Sequence, residues 1–192
     1  MTGVLSTWIL NFALMLQVSA GTEVGHDPSA NAAPSSSAAL TLIDEAGASH
    51  AITADDFSRL PRQTVKVMSH GNEAEFAGAS LVNILTSCGV EFGEKLKGRR
   101  ASTVAVLDAT DGYRIVVSLL EIDPATTEKV VLVADQRDGS PLSDKEGPYR
   151  LVIPGDKREI RWIRNLHSIR VVNLKDVPLE NSRSNEVNNG QK

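Results

Sequence analysis

The chain has 192 residues, 41% of them hydrophobic and 23% charged, enough for one domain with a real core and unlike a chain disordered or membrane-embedded throughout. Its formal charge of −4 argues against a general nucleic-acid binder, because non-specific hold on phosphate backbones needs a positive surface that displaces counterions. A local basic patch is compatible with that balance.

The first twenty residues, "MTGVLSTWILNFALMLQVSA", carry an apolar run from Trp8 to Val18 broken only by Asn11 and Gln17, then the small residues Ser19 and Ala20. This pattern predicts an export signal over 1–20, and with it a periplasmic or secreted protein with no stable membrane span after cleavage. The other reading is a short anchoring helix, although the run is short for the roughly 30 Å of a bilayer core. Residues 21–39, "GTEVGHDPSANAAPSSSAA", are rich in Ser, Ala, Pro and Gly without apolar periodicity and read as a disordered linker. Residues 179–192 are polar and aperiodic and read as a disordered tail, so the folded domain is expected over 40–178.

Within the domain, "ALTLID" alternates as a strand does, "EAGAS" turns, and "HAITADDF" leads into a helix with Thr53 as N-cap and Asp55 and Asp56 in its first turn. "QTVKVMSH" alternates again, with Val65 and Val67 on one face and Lys66 and Met68 on the other. "GNEA" reads as a turn and "EFAG" as a short strand. "ASLVNILTSCG" places Leu81, Ile84, Leu85 and Cys88 at helical spacing before Gly89. Cys88 is the only cysteine, so no intrachain bridge can form; it reads as a small buried apolar group at a helix end.

Three strands are expected next, "ASTVAVLDA", "GYRIVVSLL" and "KVVLVADQ", with a hairpin at Thr110-Asp111-Gly112 and a second turn at "RDGSPLS". "PYRLVIPG" is a further strand, and "IRWIRNLHSIRVVNL" is either a short helix leading into a strand or one long strand. Strands outweigh helices and do not alternate with them regularly, which makes the fold class α+β, mostly β, with mixed sheets and a few short helices.

Metal and nucleophile chemistry is not signalled. His26, His50, His70 and His167 show no i, i+4 pairing and have no cysteine at ligand spacing, and there is neither a G-x-S-x-G elbow nor a phosphate-binding glycine loop. His70 leaves a strand at a turn, where a His can face a cleft, and Tyr113 follows the Asp111-Gly112 turn, where its hydroxyl can reach a pocket. The stretch Glu146 to Arg164 holds five cations in a net-acidic chain. Arg150 lies in an apolar strand, where an unpaired guanidinium would cost several kcal/mol. It therefore either pairs with an acid such as Asp135 or Glu146 or faces something anionic, together with Lys157, Arg161 and Arg164. If the segment is helical, Arg161 and Arg164 lie on one side at i and i+3.

The order of "FAGASLVNIL", "DATDGYRIVVSLLEI", "VVLVADQRDGSPLSDKEGPYRLVIPGD" and "REIRWIRNLHSIRVV" resembles the molybdopterin-binding domain of the sulfite oxidase-like oxidoreductases, over about residues 40 to 174. The resemblance implies a largely β domain whose loops gather round a pterin-dithiolene cofactor with a terminal phosphate. Arg150 and Arg161 match the family's arginine in the Pro-x-Arg strand and its basic residue before Trp, and Asp111 and Tyr113 match the hairpin bordering the cleft. The implied cofactor-binding set is Arg150, Arg161, Lys157, Asp111, Tyr113 and His70. Members that bind molybdenum through the protein carry a cysteine at the end of the strand matching "TVKVMSH"; here Val67, Met68 or Ser69 stands there, so no metal ligand is expected.

Two functions follow from the resemblance. One is an exported oxidoreductase holding molybdopterin and acting on a small oxyanion-type or other small substrate, with a redox or signalling protein as partner. The alternative is a cofactor-free binding module that uses the same basic cleft for an anionic ligand or a protein partner.

Overall fold

The computed structural model describes residues 40–176. The expected export signal, linker and tail lie outside the described residues. No helix among the described residues is long and apolar enough to cross a membrane.

Among the described residues, ten strands form two sheets. The first sheet, ordered β2-β1-β10-β5-β6, contains β1 (Leu40–Ile43), β2 (Ser49–Ile52), β5 (Thr103–Ala109), β6 (Arg114–Ser118) and β10 (Leu166–Asn173). Its one parallel pair joins β1 to β10. The second is antiparallel, with β3 (Arg62–Ser69), β4 (Asn72–Ser80), β7 (Leu132–Arg137) and β8 (Ser140–Pro141) in order, and β9 (Arg150–Val152) also on β7. This is the α+β, mostly β architecture that the residue pattern predicts. Leu40 and Leu42 alternate into the core, whereas β7 is buried on both faces at Leu132, Val133 and Ala134, as a central strand must be. At Gly78 a Cβ would lie 2.0 Å from the Val133 carbonyl oxygen, so only glycine lets β4 approach β7 there, beside its bulge.

Three short helices punctuate the strands. Helix α1 (Ala54–Arg59) starts with a capping box in which the Asp56 N–H donates to the Thr53 hydroxyl and the Asp56 carboxylate accepts from Thr53, as the Thr-x-x-Asp spacing predicts. Helix α2 (Leu81–Ser87) is capped by Ser80 and buries Leu81, Ile84 and Leu85; Gly89, at φ 86°, ends it. Helix α3 (Leu119–Ile122) takes Leu119 and Leu120 out of the strand expected for "GYRIVVSLL". Both leucines pack inward from the helix, so the apolar run gave no sign of the change.

Three further expectations are corrected. "GNEA" is not a turn: His70 (φ 49°) and Gly71 (φ 83°) make the whole connection, Ser69 pairs with Asn72, and β4 runs unbroken to Ser80. A two-residue turn with both central φ positive matches the right-handed twist of its strands, and here a histidine takes the place more often held by Asn or Asp. Cys88 is half-buried at the end of α2, packed against the core edge. The Trp162 segment follows the first of its two readings, a short helix leading into a strand, but the helix is a 3₁₀ turn, Glu159–Arg161, that ends before Arg164, so the expected shared face of Arg161 and Arg164 is not formed.

Candidate functional site

The β3–β4 turn, the start of β9, the 3₁₀ turn Glu159–Arg161 and the β5–β6 turn meet on one side of the domain. They enclose two adjoining open hollows that share Glu159, Ile160, Trp162 and Arg164. The larger, about 530 Å³, adds Met68, His70, Arg150, Lys157 and Arg158; the smaller, about 390 Å³, adds Asp111, Tyr113 and Lys145. The Asp111 carboxylate accepts the Tyr113 N–H at 2.9 Å, and the Tyr113 hydroxyl donates to the Ile160 carbonyl at 2.7 Å, tying the hairpin to the 3₁₀ turn.

Arg150 is the centre of this side, and it is not free. Its side chain is 1% exposed, lies 5.2 Å from the Phe76 ring centroid and 5.8 Å from that of Trp162, and pairs with Glu146 and, at 2.8 Å, with Glu159. Of the two acids open to it from the sequence, Glu146 is the partner; Asp135 is held instead by Arg62 at 2.6 Å. Burial pushes the Arg150 pKa down and its two carboxylates oppose that shift. Arg161 lines neither hollow. It bonds both oxygens of Asp156, at 2.7 and 3.1 Å, and Glu121 at 3.1 Å, and Glu121 also takes Lys129. The expected pair of uncompensated guanidinium groups is thus corrected on geometric grounds, because each meets two carboxylates: Arg150 takes Glu146 and Glu159 and Arg161 takes Asp156, all from the same stretch, and Arg161 also takes Glu121 from α3.

Other cations take their place. Lys157, Arg158 and Arg164 are exposed around the larger hollow and make no ion pair among the described residues. Its acids, Glu159 and Asp156, are already matched by Arg150 and Arg161, so the hollow keeps a positive excess. Of the residues expected at the site, His70 and Lys157 line this hollow with Arg150, whereas Asp111 and Tyr113 line its neighbour. Arg158 and Glu159 are not singled out by the sequence reading, which names Arg164 only beside Arg161 and Ser69 only at the place of the family's cysteine. The signal for Arg158 and Arg164 lay in the same cationic stretch, but which cations stay free depends on Glu121, Glu146, Asp156 and Glu159.

Glu159 links the layers. Oε1 accepts the His70 N–H at 2.9 Å, Oε2 accepts from Arg150 at 2.8 Å, and the His70 ring nitrogen lies 3.4 Å from Oε2. Burial works against the charged Glu159 carboxylate, yet the His70 N–H, the nearby Ser69 hydroxyl, and the His70 and Arg150 charges together hold its pKa below the usual range. The Ser69 Oγ, fully buried at the end of β3, makes no hydrogen bond of full geometry, nor do Arg150 Nε and Trp162 Nε1. Buried side-chain groups of this kind are nearly always bonded, and Ser69 Oγ is the one of the three that acts on the Glu159 carboxylate.

A thiolate-bound metal does not fit this donor set. Ser69 and a largely exposed Met68 end β3, Cys88 sits at the end of α2, and no group of three His, Cys, Asp or Glu side chains among the described residues could hold a metal ion.

A family model described as "Oxidoreductase molybdopterin binding domain" matches residues 40–176. No curated protein matches the chain. Among solved structures, the sulfane dehydrogenase SoxCD from Paracoccus pantotrophus is similar at a TM-score of 0.53 and 15% identity, over 70% of this chain and 38% of that one, so the likeness concerns the fold and this chain spans well under half of that protein. With the match running from β1 to the end of the described residues, the chain belongs to the oxidoreductase molybdopterin-binding domain family.

Proposed function

We propose that this domain binds a small anionic molecule in the larger hollow, exported to the periplasm or outside the cell by its first twenty residues. The observation that carries the reading is the positive excess there: three exposed cations without partners, beside acids already neutralised by Arg150 and Arg161. Lys and Arg at the mouth of a concave site raise the local concentration of anions and suit oxyanion and carboxylate groups. The sequence expectation of an anion cleft is retained with its composition changed, His70 and Lys157 joined by Arg158 and Arg164. Calorimetric titration with phosphate, sulfate, sulfite and acetate tests it. Saturable binding that weakens with added salt and is lost in a Lys157→Ala, Arg158→Ala, Arg164→Ala triple variant is expected; no binding by the wild type ends the proposal.

A second reading is favoured by the family match: the same cations receive the phosphate of a molybdopterin cofactor, which would supply redox chemistry towards a small substrate. The chain's own residues offer that group charge and hydrogen bonds but no thiolate for its metal. Protein made in a host that synthesises molybdopterin should then carry close to stoichiometric molybdenum; none would leave the anion-binding module. Amino-terminal sequencing of protein recovered from outside the cytoplasm should begin near Gly21 if the export reading holds.

A further inference from the structure

The Glu159 carboxylate sits where a ligand's would. Both its oxygens are engaged, and its donors come from parts of the fold that do not depend on it. Ser69 and His70 are set by the β3–β4 hairpin, whose two-residue turn aims the His70 N–H, and Arg150 is held by the β9–β7 ladder and the Phe76 ring. The Ser69 hydroxyl adds a third donor that Glu159 approaches without completing a bond. Glu159 itself stands on a three-residue 3₁₀ turn, secured by the Tyr113–Ile160 and Arg161–Asp156 bonds. The donors are built into a sheet, while the acceptor is carried on a short connecting turn.

We propose that Glu159 is a resident plug in an oxyanion nest formed by the His70 N–H, the Arg150 guanidinium and the Ser69 hydroxyl, and that a carboxylate-bearing ligand takes the nest by displacing it. A carboxylate is the matching class because the nest already holds one through both oxygens. Displacement leaves Arg150 paired with Glu146 and the incoming carboxylate, and the released Glu159 side chain moves towards the cations that line the same hollow. The incoming charge thus replaces a charge of the same sign, so the exchange avoids the penalty of leaving a buried guanidinium unpaired. This deepens the anion-binding reading, since the exposed cations draw the ligand in and the nest decides its orientation.

Acetate binding to the full chain, followed by calorimetry and by the His70 amide shift in NMR, tests the plug. Glu159→Gln keeps the shape and removes the charge, Glu159→Ala empties the nest, and Glu146→Gln removes a charge that also pairs with Arg150 but lies outside the hollow. Acetate should bind the two Glu159 variants about tenfold or more tightly than the wild type, shift the His70 amide, and gain clearly less from Glu146→Gln. If Glu159→Ala does not fold, Glu159→Gln alone gives the answer. Equal gains at positions 146 and 159, or no gain in a folded Glu159→Gln, overturn the plug. Wild-type binding that depends on Lys157, Arg158 and Arg164 without any gain on loss of Glu159 would overturn the plug and leave the anion-binding reading standing. Silence in the wild type and every variant would remove both.

Discussion

Arg150 and Arg164 carry the same guanidinium and border the same hollow, yet they do different work. Arg150 is buried between two aromatic rings and two carboxylates; Arg164 is exposed, unpaired among the described residues, and near enough to depress the Arg150 pKa further. A buried cation is retained only because its partners offset desolvation, which makes it part of the fold's construction. An exposed cation without a partner contributes little to stability and remains free to meet a ligand. Arg150 with Glu146 is therefore expected to govern folding, Glu159 to exchange for a ligand carboxylate, and the rim of Lys157, Arg158 and Arg164 to draw the ligand in.

The sharpest way to break that contrast is Arg150→Ala. It leaves Glu146 with only Arg137, at 3.4 Å, and Glu159 with only His70, opens a void beside Phe76 and Trp162, and should destabilise the domain by about 3 kcal/mol, read from a denaturant midpoint. A variant as stable as the wild type would show that the inner pairs are not structural. Acid comes next. Glu159 is held below the usual carboxylate range, as is Glu121, mainly by its bond to Lys129 with Arg161 adding to it, and as are Asp44 by His50 and Asp56 by Thr53. Because these folded-state pKa values are depressed, their contribution is complete above the unfolded values of about 4 and is lost as pH falls through the folded ones. The melting temperature should accordingly hold from pH 7 to about pH 5 and fall below about pH 4. A decline already under way well above pH 5 would show that these carboxylates do not set the acid limit.

Tyr113→Phe probes the seam between the two hollows. Loss of its bond to the Ile160 carbonyl should cost about 0.5–1.5 kcal/mol in thermal melts, and an unchanged melt would mean that the bonds of Glu159 and Arg161 hold the 3₁₀ turn without it. The smallest effect on stability belongs to the rim. Arg164→Ala should leave stability within about 0.5 kcal/mol while weakening anion binding, which is the reverse of the Arg150 result. A matching loss of stability in both variants would erase the distinction.

Much of the framework was legible in local chemistry. Thr53 and Asp56 announce α1, the Asp138-Gly139 pair closes the β7–β8 turn with positive φ at both residues, and Leu40 and Leu42 mark their strand by alternation. The errors lie where one pattern serves two structures. "HG" carries a turn that "GN" advertises, because the strand register, rather than composition, decided which pair took positive φ. Leu119 and Leu120 satisfy a strand or a helix equally well while both bury.

The site divides along the same line. The order of its motifs, the cluster of cations between Glu146 and Arg164, and the lack of a cysteine at the end of β3 could all be read from the chain, since each depends on residue type and short-range spacing. Which cations stay uncompensated could not. Glu121 reaches Arg161 from helix α3, and the His70 N–H, Ser69 and Arg150 meet Glu159 only when β3, β9 and the 3₁₀ turn converge. Electrostatic pairing is a matter of distance in space, and contacts made far apart in the chain exist only once the two sheets have packed.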